Sequence, residues 1–309
     1  MSFIGVSDTH GGSIYSIRST PKNELQQMLL DGFIKCKDRI KQPKRVEELF
    51  LGGDMVDGPN AAKPGLGLWT VHPEVAVFDI ALLLSPLVKM AKAVRVVRGS
   101  GYHVEPGRGL VNYDEMLAQK LEAKPFENSL LKEKPFLLEQ LKQLDTIKSN
   151  APRLKQFRAE ALSLLNNGST ELEYKSDIPF PRSGIKYKNI FNNVLITLKH
   201  HVAFSPNYMY RGTGLTRNDV IMSLQKDRQI TGDYTAIVNI YGHVHYHHFT
   251  GNATHLNFTI PCWKAKDDFL ADKDPSEPDF GIVELILEPN GEFELHPYTL
   301  SGKDYPVSH

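Results

Sequence analysis

Asp8 with His10, Asp54, His103, His200 beside His201, and His243 with His245 are the residues of this 309-residue chain whose types and spacing suit chemistry. Carboxylates mixed with imidazoles are donors for first-row divalent metals rather than for Mg²⁺ or Ca²⁺ alone. Asp-x-His and His-x-His each set two donors two residues apart. On extended backbone both side chains point the same way, so one short segment can grip an ion from one side. A further Asp arriving between them can bridge two metals. Two ions about 3.5–4 Å apart clamp a phosphoryl group and lower the pKa of a shared water.

Each of these sets follows a strand-like apolar run. Run 3–6 leads into Ser7-Asp8-Thr9-His10, run 48–51 into Gly52-Gly53-Asp54, and run 93–97 into Arg98-Gly99-Ser100-Gly101-Tyr102-His103. Run 194–198 meets Lys199-His200-His201, and run 237–241 meets Gly242-His243-Val244-His245. A helix is expected over 21–40, capped by Thr20 and started by Pro21, and a strongly apolar one over 74–92 with Pro86 inside it. Buried strands separated by helices indicate an α/β fold, and open α/β sheets place their sites at the carboxyl ends of the strands. A 282–287 and 293–295 hairpin closes the pattern around Pro289-Asn290-Gly291.

This ordered set resembles the calcineurin-like metallophosphoesterase superfamily, whose pattern is D-x-H, G-D, G-N-H, a lone or paired His, and G-H-x-H. The resemblance spans about residues 1–260 and implies a four-layer αββα sandwich of two mixed sheets flanked by helices. It implies that Asp8, His10 and His245 hold one metal, that Asp54 bridges, and that His200 and His243 hold the other. His200 is preferred to His201, and Asp57 falls where a carboxylate can orient a ligating imidazole. The ions are two divalent transition metals, Mn, Fe, Zn, Ni or Co, with Mn²⁺ favoured for assay. The activity implied is hydrolysis of phosphate esters by a metal-activated hydroxide, with His103 and Asp54 as the catalytic pair. One motif departs from the family. Gly-Asn-His is replaced by Gly99-Ser100-Gly101-Tyr102-His103. Either His103 keeps the family's His position with Tyr102 where Asn should be, or a longer loop puts Ser100 or His103 in the ligand's place.

The rest of the chain narrows the class. Hydrophobic residues make up 41% and charged residues 23%, and 36 Lys+Arg balance 36 Asp+Glu, so no overall polycation drives nonspecific nucleic-acid binding. Cys36 and Cys262 are too few for a disulfide framework and read as free thiols. No apolar run reaches a membrane span and none resembles a leader, so a cytoplasmic protein without membrane contact is expected. The chain reads as a single domain, 1–309, with a helical insertion or cap over 104–190 in which Lys and Arg outnumber acids between 120 and 158. That basic insertion favours a phosphodiesterase, with nucleic acid among the substrates it admits. A phosphomonoesterase, a protein phosphatase and a catalytically weak protein-binding scaffold are the alternatives. Tyr208, Tyr210 and Arg211 are candidate substrate contacts, Arg for its bidentate grip on phosphate. Oligomeric state is not legible.

Overall fold

The structure is a computed structural model. It describes residues 1–59, 67–100, 103, 112–124, 183–184, 186–202, 212–217, 220, 234–252, 254–266 and 277–300. The chain divides into two compact units, Met1–Lys124 with Arg182–His309, and Pro125–Pro181; the second lies outside the described residues, as do Tyr102, Tyr208, Tyr210 and Arg211.

The first unit carries two mixed sheets, the α/β sandwich that the resemblance implies. Strands β1 (Ser2–Val6), β2 (Val46–Leu51), β3 (Ala93–Val97) and β4 (Ser183–Gly184) run parallel, β10 (Gly281–Leu287) adds antiparallel to β1 and β11 (Phe293–Thr299) antiparallel to β10, in the order β11-β10-β1-β2-β3-β4. The second sheet has the order β5-β6-β7-β9-β8, from β5 (Lys186–Phe191), β6 (Val194–Lys199), β7 (Ala236–Tyr241), β8 (Phe249–Asn252) and β9 (His255–Thr259). Strands β6, β7 and β9 are parallel there. The parallel strands therefore deliver their carboxyl ends to a common edge within each sheet.

Strand periodicity decides which side chains meet. Ile4, Val6, Leu49, Leu51, Val94 and Val96 point to the helix side and share one core with Leu29 and Phe33 of α1 (Glu24–Asp38), Ile80 and Leu84 of α2 (Pro73–Met90), and Leu117 of α3 (Tyr113–Lys120). The alternate residues face the second sheet. Phe3 stacks on Phe50 at 5.5 Å and meets Phe191 edge-on at 4.9 Å, and Tyr187 of β5 lies 5.7 Å from Phe50. Glu48 sits in this seam without being orphaned: Arg95 donates at 2.9 Å and the Tyr187 hydroxyl at 2.7 Å.

Several local expectations need correction. Asn23, not Thr20, caps α1, its side chain accepting from Gln26 N at 2.8 Å, so the helix starts later than the Pro21 signal suggested. Strand β5 was not anticipated, because its exposed alternate positions in Lys-Tyr-Lys-Asn-Ile-Phe give it none of the continuous apolar character of β1 to β3. Both β5 and α3 fall in the span read as an insertion, and both belong to the first unit. The helices expected beyond residue 124 lie outside the described residues. Among the described residues no helix is long and apolar enough to cross a membrane.

Phe3 is 1% exposed and touches both sheets, so truncating it opens a cavity at the seam. Phe3→Ala is expected to lower unfolding free energy by about 3–5 kcal/mol, read as a lower midpoint in urea with an unchanged slope.

Candidate metal centre

Asp8 and His10 follow β1, Asp54 follows β2, Ser100 and His103 follow β3, His200 follows β6, and His243 and His245 follow β7. The backbone there is not extended, as the Asp-x-His and His-x-His reading assumed. Asp8, His10, Asp54, His243 and His245 have φ of 50°, 47°, 49°, 75° and 59°, five of the eight non-glycine residues with positive φ among those described. Left-handed backbone costs a non-glycine residue about 1–2 kcal/mol, so the surroundings must impose it. The exits of β1 and β2 zip together through Asp8 N to Gly53 O at 3.1 Å, His10 N to Asp54 O at 3.0 Å and Gly11 N to Met55 O at 2.9 Å. Trp263 N donates to Asp8 O at 3.0 Å and Asp279 N to His245 O at 2.9 Å.

Among the described residues four donor groups result, in each of which the ligand atoms all lie within 4.8 Å of one another: Asp8, His10 and His245; Asp8, Asp54 and His200; His200, His201 and His243; and His10, Asp57 and His103. The hydrogen bonds around them decide which atoms remain to bind something. His10 Nδ1 lies 2.9 Å from Asp57 Oδ1, and His200 Nδ1 lies 2.7 Å from the carbonyl of Gly52. A carbonyl can only accept, so His200 Nδ1 carries the proton and Nε2 the lone pair; Asp57 imposes the same tautomer on His10. Asp8 Oδ2 accepts from the Ser7 hydroxyl and from His243 N at 2.9 Å. Its Oδ1 is buried without a hydrogen-bond partner, and so is His200 Nε2. That nitrogen is 2.9 Å from Asp54 Oδ2, outside hydrogen-bond geometry. His10 Nε2 and His245 Nε2 face each other at 3.1 Å. Donor atoms turned toward one another in this way fit divalent cations once the protons on His200 and His245 are displaced.

Electrostatics points the same way. Asp54 is held down to about 2: burial opposes its charge, and the facing His200 overcomes the burial. Asp8 is held well below the ordinary carboxylate range by His245 and His200, again against burial. His200 is pushed up to about 9, burial being outweighed by Asp54 and Asp8. His245 is pushed up to about 10, against burial, by Cys262 and Asp8. Burial holds His10 and His243 down to about 4.

The remaining candidates fall into place around these groups. His200 is 1% exposed, while His201 is exposed, with its ring 4.5 Å from that of His243. His103 Nδ1 lies 2.8 Å from Asp57 Oδ1, so one carboxylate oxygen faces both His10 and His103. Ser100 occupies the region of the missing Asn: its N donates to Asp54 Oδ1 at 2.8 Å and its hydroxyl lies 3.0 Å from Oδ2. Gly99 allows that approach, since a Cβ there would collide with Asp54 Oδ1.

Three supporting residues stand outside the candidate ligand set. Asp114, fully buried in the first turn of α3, accepts from Asp54 N at 3.2 Å, Met55 N at 3.0 Å and Gly99 N at 2.8 Å. Burial and the nearby Asp54 push it up to about 7. Nothing in its spacing marked it. Lys264, 4% exposed, reaches Asp57 Oδ2 at 3.3 Å. A lysine ending the apolar run Ile260-Pro261-Cys262-Trp263 was the available signal. Cys262 is not the unremarkable thiol its count suggested, for it is buried against His245.

No family model and no curated protein matches the chain. Among solved structures it is similar to the phosphoesterase YfcE of E. coli at 12% identity, covering 96% of this chain and 98% of that one with a TM-score of 0.36. Vps29 from Entamoeba histolytica, solved with Zn²⁺, gives 10% identity, 97% and 99% coverage and a TM-score of 0.35. A hypothetical protein from Pyrococcus horikoshii OT3 gives 11%, 98%, 89% and 0.38. Likenesses this slight pass no function to the chain; the donor geometry has to carry it.

A ligating imidazole must be neutral, so metal binding has to expel the protons that His200 and His245 hold below pH 9 and 10. His10 and His243, already neutral at pH 7, contribute none. Titrating Mn²⁺ into metal-stripped protein at pH 7, in buffers of different ionisation enthalpy, is expected to show release of roughly one to two protons per chain. Release that falls away as the pH is raised past 10 completes the expectation.

Proposed function

We propose that the protein is a metal-dependent phosphoric ester hydrolase with a dinuclear centre, acting first of all on phosphodiesters. The observation that carries this reading is the shared pair Asp8 and Asp54. They belong together to one donor group with His200, while Asp8 also belongs to the His10 and His245 group and His200 to the His243 group. Asp8, His10 and His245 would hold one ion, His200 and His243 the other, with Asp54 between. Two divalent ions so held supply Lewis acidity to a phosphoryl group and lower the pKa of a water.

The chain's own residues have separate tasks. Asp57 fixes the ring of His10 and that of His103 through the same oxygen. With Nδ1 of His103 turned to Asp57, its Nε2 is the atom to hand a proton to the leaving oxygen, and the ring is 24% exposed, open to the substrate side. Ser100, in the region of the absent Asn, is a donor to Asp54, which supports the reading in which a longer loop puts the serine in that place. Diesters come before monoesters because the basic stretch between 120 and 158 suits an extended anionic substrate. Manganese is the ion of first choice for assay, and a cytoplasmic setting suits the free thiols. A protein-binding scaffold on the same fold needs none of the strained, desolvated ligand geometry.

Metal-stripped protein resupplied with Mn²⁺ is expected to hydrolyse bis(p-nitrophenyl) phosphate. Asp54→Asn is expected to abolish that turnover, and His103→Ala to lower kcat about 10²- to 10⁴-fold with metal content retained. No turnover with any transition metal, in folded protein, would overturn the hydrolase reading.

A further inference from the structure

Beyond the metal centre, residues 246–248 with Glu277 and Asp279 form one wall of an open cleft of about 870 Å³, and residues 212–217 with Val220 form the other. The volume lies in the range of small-molecule sites and suits a ligand of nucleotide size. The cleft begins one residue from the metal centre. Tyr246 in its wall follows His245 directly, and Asp279 in the same wall donates its N–H to His245 O at 2.9 Å. The cleft wall and the metal ligands thus share one stretch of backbone.

The charges of the two walls are not equivalent. Asp279 Oδ2 already accepts from His247 N at 2.8 Å, and Glu277 lies 3.8 Å from Lys266 Nζ. Arg217 lines the opposite wall and has no hydrogen bond or ion pair among the described residues. His248 adds a ring whose Nε2 borders Gly212, where a Cβ would collide with it. His247 Nδ1 lies 2.7 Å from Thr259 O, which leaves its Nε2 as a buried acceptor without a partner in the cleft wall. The groups able to donate to an anion are thus the Arg217 guanidinium, the His248 ring and the hydroxyls of Thr213 and Thr216. Guanidinium binds phosphate through two parallel N–H bonds, and hydroxyls complete such a site.

We infer that this cleft is the specificity subsite of the same enzyme: it takes the retained part of a phosphate ester that carries a second phosphate, seated on Arg217. The inference rests on the phosphoesterase reading and names its substrate class. Bound this way, the second phosphate contributes equally to ground state and transition state, so it lowers KM and leaves kcat alone.

Two chromogenic diesters test it: thymidine 5′-(p-nitrophenyl phosphate), and the same compound bearing a 3′-phosphate. For the wild-type protein loaded with Mn²⁺, the 3′-phosphate is expected to lower KM about 10-fold. Arg217→Gln should collapse the ratio of the two KM values toward one, and Arg217→Lys should restore part of it. Arg217 is exposed, so neither change disturbs the packed core. A wild-type ratio near one, or a ratio that survives Arg217→Gln, overturns the subsite. If neither compound is hydrolysed, calorimetric binding of thymidine 3′,5′-bisphosphate separates the two readings. Binding that weakens about 10-fold in Arg217→Gln supports the cleft while the hydrolase reading fails. Absence of binding overturns the cleft itself.

Discussion

Two carboxylates buried side by side, Asp8 and Asp54, are the constraint on which the rest of this structure depends. Their oxygens lie within 4.8 Å of one another and of His200 Nε2. At an effective dielectric of about 20, such a pair of charges repels by about 3 kcal/mol. Both residues also sit on left-handed backbone. A fold that only needed stability would replace them, since paired buried charges stabilise less than well-packed apolar groups. Three backbone hydrogen bonds between the exits of β1 and β2 lock the strained loops together. At about 1 kcal/mol net apiece they offset only part of the cost. His200 and His245, charged in the absence of a cation, carry the electrostatic remainder. A divalent cation does the same work with one centre instead of two protons.

The architecture follows from that demand. One sheet brings Asp8, His10 and Asp54, the other brings His200, His243 and His245, and neither alone assembles a donor group of both carboxylates with His200. The aromatic seam of Phe3, Phe50 and Phe191 therefore does more than fill volume, because it fixes the distance across which the two halves of the centre meet. Around the ligands a ring of bonded neighbours removes the alternatives open to each side chain. Ser7 takes one oxygen of Asp8, Gly52 takes one nitrogen of His200, and Asp57 takes one nitrogen of His10. The atom left over on each residue is the one that faces inward.

The candidate ligands are legible in the sequence because they are short-range signals. Asp-x-His, Gly-Asp and Gly-His-x-His each come one to four residues after an apolar strand, and a parallel strand carries its exit loop to a predictable end of the sheet. The supporting groups were not legible, because they reach the site through tertiary packing. Asp114 comes from the first turn of a helix and Lys264 from the segment after β9, at sequence positions with no spacing to relate them to Asp54 or Asp57. The left-handed backbone was missed for a different reason. Alternation of donors looks the same in an extended segment and in one that curls at every second residue, and only the contacts between the loops select the second. Ser100 shows how a motif can depart from its pattern and still place a donor on Asp54.

The most direct measurement of the central claim is the stoichiometry and spin coupling of bound metal, independent of any substrate. Metal-stripped protein titrated with Mn²⁺ and followed by electron paramagnetic resonance should take up two ions per chain, and the second equivalent should bring an exchange-coupled spectrum. Asp54→Asn should leave at most one ion, uncoupled. Two uncoupled ions, or none, would contradict the account: the buried carboxylates would then serve something other than a shared dinuclear centre.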